Sequence, residues 1–147
     1  MVELAIGVLK TDIQRFREAC EIAAADLSMD DQDHPFCEFP KDKCMIAARL
    51  VGDYLHQQLD IPLKRIQIAT NSRRIGRHAW TMLDEIIIDI TADQFDDCSE
   101  QVIVSRKSAW HRTWSQPEFE DHELSVGNDF ADQVWSDLYQ YILQRMS

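Results

Sequence analysis

At 147 residues, with 45% hydrophobic and 9% aromatic residues, the chain has the length and apolar content of one globular domain spanning 1–147. Fifteen Lys and Arg against 26 Asp and Glu give a formal charge of -11. No stretch gathers basic residues into a stripe that would neutralise successive phosphates, which argues against nucleic acid as a partner; the acidic excess reads as a source of solubility.

The first residues, MVELAIGVLK, hold a short apolar run without a basic n-region or a small-residue cleavage site. No segment approaches the roughly 18 apolar residues of a membrane span, so a soluble, cytoplasmic protein with no membrane partner is expected. Cysteines at 20, 37, 44 and 98 form no CxxC pair. Neither a zinc ribbon nor a dithiol redox motif is signalled, and neither a metal nor another cofactor is expected.

In chain order, Thr11 and Gln14 stand at capping-box spacing, and Ile13, Phe16, Cys20, Ala23 and Leu27 follow on one helical face. Cys20 is then a small core residue. From Ser28 to Lys43 the periodicity lapses into a long connection with two prolines and several acids, and His34 reads as an exposed loop histidine. A second helix is predicted over Lys43 to Leu59, with Asp42 as N-cap and Ala47, Leu50, Val51, Tyr54 and Leu55 on its buried face. Cys44 falls in its first turn.

After Pro62 the pattern alternates, and strands are predicted at RIQIAT, RHAWTML, EIIIDI and QVIVS. A last helix is expected from Asn128 to Arg145, with Phe130, Val134, Leu138 and Tyr141 or Ile142 on one face. Helices, then strands, then a helix make the class α+β: a Cys-bearing helix on an antiparallel sheet, flanked by N-terminal and C-terminal helices.

The hairpin HAWTMLDEIIIDIT carries two ionisable residues where the pattern asks for core. A two-residue turn at Asp84-Glu85 pairs Leu83 with Ile86, Met82 with Ile87 and Trp80 with Asp89. His78 and Asp89 then share a face as diagonal neighbours, about 7 to 8 Å apart, within reach of a hydrogen bond. A four-residue loop preserves this pairing, whereas a three-residue loop turns Asp89 away.

A thiol in the first turn of a helix meets the positive end of the macrodipole and nearby free N–H groups, both favouring thiolate. With Cys44 as nucleophile, His78 as general base and acid, and Asp89 as the carboxylate orienting the ring, the three form a coherent acyl-transfer set. In SAWHRTWSQPEF, Trp110, His111, Trp114 and Phe119 crowd a short polar stretch suited to lining a groove, and Trp80, Trp110 and Trp114 are the candidate substrate-binding residues. The spacings of His111 and His122 to Cys37 or Cys98 match no metal-ligand pattern. NSRRIGRH brings three arginines and a glycine just before His78 and reads as a solvated connection.

FPKDKCMIAARLVGDYL, HAW and IIDIT together resemble the papain-like and transglutaminase-like cysteine enzymes, which carry cysteine at a helix start, histidine opening a strand and the third residue on a VDPT strand. The likeness spans about Phe36 to Phe95 and is particularly close to the leader-peptide peptidases of lasso-peptide biosynthesis, with their HAWVE strand. It implies Cys44, His78 and Asp89 as the catalytic residues and an amide bond of a peptide or protein as substrate. Lys43 and Asp84-Glu85 stand where many relatives have glycine. The expected function is a thiol-dependent peptidase, amidase or deamidase, or acyl transferase. Its alternative is a catalytically silent protein-binding module of the same fold, such as an effector or immunity-type protein.

Overall fold

A computed structural model describes residues 5–30, 34, 36–73, 76–114, 116–123 and 130–146. Helix α1 (Ile6–Asp30) and helix α2 (Cys44–Gln57) precede strands β1 (Ile66–Arg73), β2 (Gly76–Leu83), β3 (Ile86–Asp89) and β4 (Ile103–Ser105). A four-residue helix α3 (Ala109–Arg112), strand β5 (Glu118–Asp121) and helix α4 (Phe130–Arg145) follow. The class is α+β, as expected.

The apolar stripe of α1 is as predicted, but the helix is longer at both ends. Leu9, Ile13, Phe16, Cys20 and Ala23 are fully buried. Thr11 is therefore not a cap: it lies inside the helix and its hydroxyl donates back to the Gly7 carbonyl at 3.0 Å. At the other end the helix runs through Ser28 to Asp30, shortening the predicted connection.

Helix α2 begins at Cys44, with Ala47, Leu50, Val51, Tyr54 and Leu55 buried as expected. Asp42 does not cap it. Lys43 occupies the N-cap position without a side-chain hydrogen bond, and Asp42 takes a left-handed turn (φ 58°) whose N–H donates to Gln94 Oε1 at 3.0 Å. Helix α4 begins at Phe130, and Asn128 lies outside the described residues.

The five strands form one antiparallel sheet in the order β4-β3-β2-β1-β5. Leu83 pairs with Ile86 and Met82 with Ile87, the register expected for a two-residue turn. Asp84-Glu85 lacks the Gly or Asn that such a turn favours, and Arg65 compensates. Its guanidinium donates twice to Asp84 Oδ2, at 2.9 and 2.7 Å, while the Asp84 N–H donates to the Arg65 carbonyl. Asp84 can thereby hold the left-handed conformation (φ 52°) that aspartate tolerates better than most residues. Strand β5 has no alternation to announce it: all four of its residues are exposed at the sheet edge.

The two faces of the sheet are covered differently. Ile66, Leu83, Ile86, Ile88 and Val104 join residues of α1, α2 and α4 in the main core. Thr81, on that face, donates its hydroxyl to the Ala48 carbonyl at 2.8 Å and ties β2 to α2. The opposite face carries Ala69 and Trp80, packed with Trp114, Met82, Ile87, Phe95 and Trp110.

Two buried polar contacts hold elements together. Arg17, 3% exposed, donates to the carbonyls of Ile90 and Gln101 at 2.6 and 3.2 Å and to both Asp93 oxygens, pinning the chain that follows β3. His122 Nε2 meets Asp53 Oδ1 at 2.8 Å, joining the end of β5 to α2. The His122 ring lies against Gly52, where an added Cβ would stand 2.7 Å from it. Because ring and carboxylate are both buried, neither can move aside cheaply. We predict that Gly52→Ala destabilises the fold by about 1–3 kcal/mol, the usual cost of overpacking, measured by urea unfolding.

Candidate active site

Strand alternation sets the site. His78, Trp80 and Met82 project from one face of β2, and Ile87 and Asp89 from the same face of β3. His78 Nε2 lies 2.6 Å from Asp89 Oδ2, with His78 1% and Asp89 2% exposed. The diagonal pairing read from the hairpin is therefore closed by a hydrogen bond.

Asp89 also receives a contact that the sequence did not disclose. His111, in α3, places its Nε2 2.7 Å from the same Oδ2, while the Thr91 N–H donates to Oδ1 at 2.9 Å. On its other side the His111 ring meets Ser108 Oγ through Nδ1 at 2.6 Å, and Ser108 Oγ accepts the His111 backbone N–H at 3.2 Å. Nε2–H donates to Asp89 and Nδ1 shares a hydrogen with Ser108 Oγ, so both ring nitrogens of His111 have partners.

His78 is not satisfied in the same way. With Nε2–H given to Asp89, its buried Nδ1 has no hydrogen-bond partner. Phe95, Trp110, Trp114 and Trp80 surround the ring at centroid distances of 5.0, 5.4, 5.5 and 5.7 Å and keep water from it. Burial disfavours charge on this ring, but the Asp89 charge and hydrogen bond, with Cys44 beside them, outweigh it and push the pKa up to about 9. For Asp89, burial alone would raise the pKa. The charge of His78 and the hydrogen bonds from His111 and His78 reverse this and hold it well below the usual carboxylate range.

Cys44 is half-buried at the first residue of α2, packed against Ala48, Ile68 and Ala79. Its sulfur is near enough to influence His78, although no aligned hydrogen bond closes between thiol and Nδ1. The space bounded by Cys44, Ala79 and Asp89 is too tight for a water molecule. Of the predicted groove residues, Trp80, His111, Trp114 and Phe119 line a cavity of about 560 Å³. Trp110 instead packs on His78 and donates its indole N–H to Asp97 Oδ1 at 2.9 Å.

His78 Nε2, His111 Nε2 and Asp89 Oδ2 lie within 4.8 Å of one another, a spacing compatible with two-histidine, one-carboxylate metal ligation. In the arrangement seen, both rings direct these nitrogens at the carboxylate oxygen rather than at a common vacant point. His122 and Cys37 stand outside this cluster.

No family model, curated protein or solved structure matches the chain. No helix among the described residues is long and apolar enough to cross a membrane.

The sequence offers His111 as a groove residue but not as a partner of Asp89, because the pattern around it and Ser108 is short and polar; the Ser-x-x-His spacing of a capped helical turn is the one available signal. The ionised pair makes stability depend on pH with a definite sign. A histidine whose pKa rises from 6.5 to about 9 on folding contributes fully below 6.5, and that contribution disappears as pH climbs through 9. The depressed Asp89 pKa contributes above its ordinary value of 3.8 and is lost only in acid. The unfolding free energy of the wild type should therefore fall between pH 6.5 and 9, and urea titrations of Asp89→Asn should lack this component.

Proposed function

We propose that the chain is a thiol-dependent enzyme of papain-like or transglutaminase-like architecture, acting on an amide bond of a peptide or protein. The observation that carries this reading is the asymmetry of His78: one ring nitrogen is committed to Asp89, the other closes no well-formed hydrogen bond, and Cys44 lies near enough to the ring to raise its pKa. A merely structural histidine in so dry a setting would satisfy both nitrogens, as His111 does.

In this mechanism Cys44, its thiol proton transferred to His78 Nδ1, attacks the amide carbonyl carbon as a thiolate from the half-exposed start of α2, and N–H groups of the first helical turn face the developing oxyanion. His78 Nδ1 hands its proton to the departing amine, leaving a thioester on Cys44. It then takes a proton from the incoming water or amine, and the acyl group leaves the sulfur. Asp89 holds the ring's orientation and supports its charged form. The chemistry uses no metal or cofactor.

A second reading, a binding module without activity, is favoured by the near-complete burial of His78 and the closed space between Cys44 and Asp89. Thiol reactivity separates the two. Under the enzyme reading, an iodoacetamide-type probe at neutral pH labels Cys44 faster than half-buried Cys98 and buried Cys20 and Cys37. Replacing His78 with Gln lowers the Cys44 rate about 100-fold, the low end of a general base's contribution, with the folded state verified by circular dichroism. Cys44 labelling that matches Cys98 and ignores the substitution sinks the enzyme reading.

A further inference from the structure

The cavity of about 560 Å³ lies on the aromatic face of the sheet and has a composition unlike the rest of the molecule. Its size falls in the range of roughly 300–1,000 Å³ typical of small-molecule sites. Trp80, Trp114, Met82 and Ile87 supply an apolar wall, while Arg106, Lys107 and Arg112 supply positive charge. No Asp or Glu is among the described residues that line it, although the chain holds 26 acidic residues against 15 basic.

Lys107 and Arg112 are exposed, and neither joins an ion pair among the described residues. Between the cations and the apolar wall, Ser108 and His111 bring the hydrogen-bonded chain that ends on Asp89 to the cavity's edge. An apolar body with one anionic end matches this pattern. Its body would displace water from tryptophan and aliphatic surface, and its oxygens would meet ammonium and guanidinium donors in charge-assisted hydrogen bonds. A neutral apolar molecule would leave the cations unused, and a small hydrophilic anion would leave the wall unfilled.

We propose that this cavity is a binding site for a small apolar anion, a carboxylate carried on a single alkyl chain or aromatic ring. Through Ser108 and His111 the site connects by hydrogen bonds to Asp89, the carboxylate that orients His78. The assignment does not depend on Cys44 being a nucleophile.

Decanoate, decanol and acetate are suitable probes, with binding followed by tryptophan fluorescence, since Trp80 and Trp114 form part of the wall. Decanoate should saturate, with decanol and acetate each at least about tenfold weaker, equivalent to about 1.4 kcal/mol. The double variant Lys107→Ala, Arg112→Ala should weaken decanoate about tenfold and leave decanol unchanged. Ile87→Trp, which fills the cavity, should abolish decanoate binding, and Cys44→Ser should retain it whatever becomes of the enzyme reading. The assignment is overturned if decanol binds as tightly as decanoate, if the double variant binds decanoate unchanged, if decanoate gives no saturable response, or if an acidic peptide displaces it at lower concentration.

Discussion

A single buried carboxylate organises the site. Asp89 carries its charge in surroundings that would ordinarily neutralise it, and it does so because two imidazole N–H groups and a backbone N–H converge on its oxygens. Removing one partner of a buried charged pair typically costs about 3–5 kcal/mol, because the remaining charge is left uncompensated. The elements that carry those donors, β2, α3 and the turn after β3, are therefore bound into one arrangement by the need to satisfy Asp89.

The scaffold around it serves the same end. Arg17 reaches from α1 to the Ile90 and Gln101 carbonyls and to Asp93, holding the chain immediately beyond Asp89. Arg65 stabilises the turn that sets the hairpin register, and a slip of one residue there would move Asp89 to the helix-covered face. The sheet thus separates two environments. One face packs a mainly aliphatic core against three helices, and the other is an aromatic layer in which His78 is kept dry. Cys44 lies at the helix-side boundary of these layers, packed on Ala79, the strand neighbour of His78.

Local pattern made much of this legible. The stripes of α1 and α2, the strand alternation and the position of Cys44 at a helix start all depend on side-chain period, which the order of residues encodes directly. The juxtaposition of His78 and Asp89 was likewise readable, since in a tight hairpin register follows from counting. The helix starts were less so. Thr11 and Asp42 have the chemistry of caps, but Thr11 lies inside the helix with its hydroxyl on the Gly7 carbonyl, and Asp42 sits in a left-handed turn whose backbone N–H donates to Gln94. Strand β5, wholly exposed at the sheet edge, has no hydrophobic period to betray it.

What the sequence by itself determined was everything governed by a period or a short turn: the α+β class, the buried helix faces, the hairpin and the shared face of His78 and Asp89. Only the tertiary structure decided which long-range partners complete the charge. His111 lies 22 residues from Asp89, and Arg17 lies 73 from Ile90. A polar side chain's partner is set by desolvation of the whole surroundings, and no local spacing encodes it. The same holds for the cavity: its tryptophans were visible as a cluster, but its cations and apolar wall came together only when α3 folded back across β2 and β3.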